Sequence, residues 1–171
     1  MLTTFQIDPQ ASKVWIAARS SLHPIHSQAD GLQGSIQAVF DGNGILDVTA
    51  TCAMSVEFPV TRMRSSNPLE QRELHRRIEA KRFPTIRGVV TDILTTETAN
   101  VFAVAGTVTF RGVARRHSGL LTIEMIGDDH LRIAGVSTFD VRDYGMEPPK
   151  ILMIKVEPLV EIQIEVVAGR S

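Results

Sequence analysis

An every-other-residue alternation of apolar and polar side chains runs through nearly the whole chain, and it limits the possible folds more than any other feature. Leu46, Val48, Ala50, Cys52 and Met54 fall on one side of such a segment, with Asp47, Thr49, Thr51 and Ala53 on the other. A period of two marks a β-strand with one face buried. The pattern recurs in Val14, Ile16 and Ala18, in Ile36, Ala38 and Phe40, in Phe102 to Phe110, and in Val160 to Val166. So many strands present a long apolar face, and the sequence holds too little helix to cover it. A sheet that curls until it meets itself covers that face and removes unpaired edges. Ala or Gly at inward positions, as at Ala18, Ala50 and Gly106, where a filled core would place Leu, then predicts a hollow interior.

Punctuation divides the chain into a meander with one interruption. Asp8-Pro9 opens the first strand, and His23 through Gly31 reads as a polar loop ahead of a second strand over 34–40. Asp41-Gly42-Asn43-Gly44 is the sharpest turn signal, and it predicts a third strand over 45–54 paired antiparallel with the second. Asn67-Pro68-Leu69-Glu70 supplies a capping side chain, a proline for the first helical position and a first-turn carboxylate. Leu74 and Ile78 share one side of the helix that follows, while Arg72, Glu73, Arg76, Arg77 and Glu79 mostly face water. Pro84 ends this segment by Phe83. Strands resume over 85–94, 101–111, 120–126, 131–139 and 160–167, giving about eight, the count of a small closed barrel. The expected architecture is all-β: an antiparallel eight-stranded barrel with one short amphipathic helix, a single domain over residues 1–171.

Charge and cysteine usage narrow the partners. With 18 Lys and Arg against 19 Asp and Glu, the chain offers no general attraction for nucleic acid. Its single cysteine, Cys52, excludes an internal disulfide and reads as a buried thiol. No stretch approaches the roughly eighteen apolar residues of a membrane-spanning helix. The segment before Asp8-Pro9 has neither a basic start nor an apolar run, so a cytoplasmic location is expected, or a periplasmic or secreted one where a leader has been removed.

Three segments add a resemblance. They are Phe5-Gln6-Ile7-Asp8-Pro9 with Ser12 and the strand from Val14; Lys81 to Ile86 followed by Gly106 to Val113; and Val141-Arg142-Asp143-Tyr144-Gly145-Met146. In this order and spacing, the chain resembles the YceI-like family of lipid-binding barrel proteins. The resemblance implies a lipocalin-like antiparallel barrel that holds a long isoprenoid or similar amphiphile, with a helix packed near one end.

Candidate ligand contacts are the inward residues Val14, Ile16, Ile36, Phe40, Val104, Val108, Phe110 and Phe139. A polyprenyl lipid or isoprenoid quinone needs only a dry, shaped tunnel, which gains about 0.8 kcal/mol per buried methylene. Arg142 has two readings: a fork of donors for an anionic head group, or a partner of a nearby carboxylate that pins the turn ending at Gly145. His23 and His26 lie three apart but lack further ligands, so no metal is expected. Asp128-Asp129-His130 reads as a hairpin tip. Nucleophile elbows, phosphate-cradling loops and dinucleotide fingerprints are absent, so the sequence names no catalytic residue and requires no cofactor. The leading expectation is a non-enzymatic carrier or store for a hydrophobic small molecule. The alternatives are an enzyme using His23, His26 or His130 on a small hydrophobic substrate, and a packed barrel with a structural or interaction role, including a homodimer. Arg72, Arg76, Arg77, Lys81 and Arg82 form the one local basic bias, suited to transient contact with a membrane surface unless Glu70, Glu73 and Glu79 dilute it.

Overall fold

The computed structural model describes residues 1–148, 150–151 and 153–171. Twelve strands form: β1 (Thr3–Ile7), β2 (Lys13–Ser20), β3 (Ile25–Ala29), β4 (Gln33–Ala38), β5 (Ala53–Pro59), β6 (Met63–Ser65), β7 (Thr85–Thr95), β8 (Val101–Phe110), β9 (Val113–Ile126), β10 (His130–Asp140), β11 (Lys150–Ile151) and β12 (Ile154–Arg170). One helix, α1 (Pro68–Ile78), interrupts them. Three early strand pairs act as single bent staves, because β1 and β2 both line up against β12, β4 and β3 continue the sheet beside them, and β5 and β6 follow. The remaining staves run β7, β8, β9, β10 and β12, and β12 returns to β1. The fold is therefore a closed antiparallel barrel of eight staves with one helix.

Local chemistry sets the bends. Between β1 and β2 the Asp8 carboxylate accepts the backbone N–H groups of Gln10 and Ala11, turning the chain off its ladder. The buried Ser12 hydroxyl then accepts the Val167 N–H at 3.0 Å and donates to the Val167 carbonyl at 3.2 Å, substituting for the missing backbone partner. Gly106 is needed for close approach: a Cβ there would lie 2.0 Å from the Val89 carbonyl oxygen, beside the register shift between Val90 and Asp92. In α1, the Asn67 side chain accepts the Leu69 N–H at 2.9 Å, Pro68 starts the first turn, and Glu79 ends the helix in the left-handed region at φ 57°.

The sequence expectations fail in three places. Asp8-Pro9 does not open the first strand, because β1 (Thr3–Ile7) already precedes it. The segment 45–54 is not a strand: after a single bridge between Phe40 and Leu46, Asp47 folds over Thr49, accepting its N–H at 2.9 Å and its hydroxyl at 2.6 Å. The strand that pairs with β4 is instead β5, from Ala53. Within the expected polar loop His23–Gly31, residues Ile25–Ala29 form β3, whose Ser27 and Ala29 point inward and are buried. Short inward side chains disguised it. Cys52 is only partly buried, and burial raises the pKa of its thiol.

Candidate functional site

The barrel interior differs along its axis. At one end Phe5, Leu46, Phe102, Ile123, Leu131 and Ala168 pack into a solid core. Toward the other end the inward side chains of Val108, Phe110, Phe139, Val160, Ile162 and Ile164 remain only half-buried, because they border empty space. That space has two adjoining lobes of about 240 Å³ and 220 Å³. They share Val56, Gly88, Val108, Phe139, Ile162 and Ile164 as walls. The first lobe lies beneath α1, whose Leu74 and Ile78 form part of its lining, and the second lies in mid-barrel between β4, β8, β9 and β10.

Polar groups touch the first lobe at few points. Glu70, in the first turn of α1 and only 7% exposed, lines it and accepts the Ser65 hydroxyl at 3.0 Å. Its other carboxylate oxygen lies 3.9 Å from the His23 ring, beyond hydrogen-bond range. Tyr144 also lines the lobe, edge-on to Phe110 at 5.6 Å, and burial raises the pKa of its phenol. Arg111 holds the roof in place. Its guanidinium pairs with Glu79 at 2.8 Å, just past the end of α1, and donates to the carbonyls of Tyr144 and Gly145. Glu70 and Tyr144 thus line the helix end of the chamber, whose other polar side chains are Ser27, Arg87 and Glu157.

A family model for the YceI-like domain matches residues 5–168. The chain belongs to that family. No curated protein matches its sequence. Among solved structures, this YceI-like chain is similar to BcnA of Burkholderia cenocepacia, at 17% identity and a TM-score of 0.79 over 94% of this chain and 98% of that one. It is also similar to a polyisoprenoid binding domain from Saccharophagus degradans, with 11% identity, a TM-score of 0.76 and full coverage of both chains. The YCEI protein of Campylobacter jejuni gives 14% identity and a TM-score of 0.64, covering 85% of this chain and 84% of that one. At these identities the likenesses establish the fold.

Seven of the eight cavity candidates line the YceI-like interior. Val14, Ile16 and Phe110 border the first lobe, Ile36 and Val104 the second, and Val108 and Phe139 both. Phe40 does not: it packs inward, edge-on to Phe5 at 5.9 Å and bridged to the buried Leu46, at the packed end beyond β4. Arg142 lies outside the cavity lining. Its guanidinium grips Asp140 with Nε at 3.0 Å and Nη2 at 2.7 Å, holding that carboxyl below its usual pKa, and Asp140 also accepts the Arg142 N–H where the chain turns toward Gly145. His26 and His130 are exposed, and no cluster of three metal-ligating side chains occurs among the described residues. Within the basic set of α1, Glu73 pairs with both Arg76 and Arg77. Sequence reading did not single out Arg111, Tyr144 or His117; the one local sign of Arg111 was its place beside Gly112, in a hairpin where both residues have positive φ.

Proposed function

We propose that this protein binds a long, largely apolar ligand of the isoprenoid type, a polyprenyl compound or quinone, and carries or stores it away from water without chemical change. The observation that carries this reading is the half-buried state of inward-facing Val108, Phe110, Phe139, Ile162 and Ile164. Apolar side chains left facing a void forgo dispersion contacts that a ligand chain restores, at roughly 25 cal/mol per Å² of apolar area removed from water. Membership of the YceI-like family and likeness to a polyisoprenoid binding domain point the same way. The ligand's tail fits the mid-barrel lobe, and its polar end fits the helix end beside Glu70 and Tyr144. The test is organic extraction and mass spectrometry of protein purified without detergent, together with titration by retinol, a fluorescent isoprenoid alcohol. A stoichiometric isoprenoid lipid, or saturable retinol binding, is expected. Protein that carries no lipid and leaves retinol fluorescence unchanged would overturn the reading.

A further inference from the structure

One wall of the barrel is not stitched. Pairing between β9 and β10 covers only Thr122–Ile126 against His130–Ala134. Each strand's other neighbour continues much further: β8 pairs with β9 as far as Phe110 and Val113, and β12 pairs with β10 as far as Asp140. A seam therefore runs between residues 113–121 of β9 and 135–140 of β10.

Side chains close this seam where backbone hydrogen bonds do not. The His117 ring shares a 2.6 Å hydrogen bond with the Ser137 hydroxyl and stacks on Phe139 at 3.9 Å, nearly parallel at 18°. The mid-barrel lobe reaches it, bordered by His117, Gly119 and Leu121 on one side and Gly135, Ser137 and Phe139 on the other. Outside, the lips are apolar and bare: Leu120 is 57% exposed and Val136 55%. Leu94, 66% exposed, extends the same row across the outer face, because Leu94 opposes Ala103 and Ala103 opposes Leu120. The helix end of the chamber is built differently, with the Arg111–Glu79 ion pair and the Tyr144 and Gly145 carbonyls fastening its roof.

We propose that this seam is the portal through which the apolar ligand passes, with His117, Ser137 and Phe139 as its latch. The proposal rests on the isoprenoid-binding reading above. Opening the seam costs one side-chain hydrogen bond and one ring contact, whereas parting β8 from β9 or β10 from β12 breaks a continuous ladder. The exposed apolar lips give an emerging chain a dry surface where an ordinary barrel exterior would give it water.

A cross-link across the seam tests this. A Cβ at Gly119 would lie 4.0 Å from the Ser137 Cβ, inside the disulfide range, and Gly119 has no positive φ to strain a side chain. Gly119→Cys with Ser137→Cys, in a Cys52→Ser background, is compared oxidised and reduced by stopped-flow retinol uptake and release. Oxidation is expected to slow both rates at least tenfold relative to the reduced form of the same variant, and reduction to restore them. Ser137→Ala, which needs no new covalent bond, is expected to speed release several-fold. Exchange at equal rates in the oxidised and reduced forms would overturn the portal and leave the binding reading intact. Failure of the unmodified protein to bind retinol would overturn both.

Discussion

The two halves of the barrel share strands, alternation and composition, yet one is solid and the other hollow. On β12, Ala168 is buried in the core, while Ile162 and Ile164, six and four residues before it, border the cavity. Nothing in that strand changes between them. The difference lies in what crosses the end of the barrel. At the solid end, Phe5 and Phe40 meet edge-on, and Leu46 folds inward behind the turn at Asp41–Gly44. At the hollow end the covers are α1 and the turn over Val141–Tyr144, which roof the chamber without filling it. A barrel of this size is packed or empty according to its caps more than its staves.

Truncation should separate the halves most sharply. Phe5→Ala removes a fully buried ring from the solid end and should cost about 3–5 kcal/mol, read from urea unfolding. Phe110→Ala, on the half-buried wall of the chamber, should cost only about 1–2 kcal/mol and should weaken retinol binding instead. Equal losses at the two sites would mean that the chamber is not hollow in solution.

Enlarging side chains should give the opposite contrast. Ala168→Leu overpacks the solid end and should destabilise by about 1–3 kcal/mol. Val108→Phe, on the wall shared by both lobes, has room for its ring; it should keep the thermal midpoint or raise it while lowering retinol affinity at least tenfold. A Val108→Phe protein that unfolds as readily as Ala168→Leu would erase the distinction.

The smallest expected effect is a titration. Burial on the hollow side lowers the His117 pKa below the ordinary histidine value, so the folded protein disfavours its protonated form. As pH falls below about 6.5, the unfolded chain takes up this proton first. Stability from this site is therefore complete above that pH and declines as pH drops toward the folded-state pKa. An NMR titration should place His117 below the ordinary histidine value of about 6.5. A His117 that titrates at or above that value would show that the seam is already wet.

Most staves were legible because their inward residues are large and regularly spaced. β8 carries Phe102, Val104, Val108 and Phe110 on its inward side, β12 carries Val160, Ile162, Ile164 and Val166, and α1 announces itself through Asn67, Pro68 and Glu70. Reading failed where the alternation was carried by the wrong residues. β3 buries Ser27 and Ala29, which look like loop, whereas 46–54 alternates cleanly but contains Asp47, whose carboxylate captures Thr49 and breaks the ladder. The cavity wall was legible on the same terms: the period of two placed seven inward residues on it, while Phe40, inward as well, packs at the solid end.

By itself, then, the sequence determined the period, the direction each side chain takes from its strand, and the closure that follows when a long apolar face has no helices to hide it. These are local properties, set by backbone geometry and the pattern of oily residues. Only the tertiary structure decided which half of the tube is filled, how Arg111 ties the helix to the opposite rim, and where the wall between β9 and β10 goes unstitched. Each of those depends on the distance between residues far apart in the chain, and a pattern of period two carries no record of it.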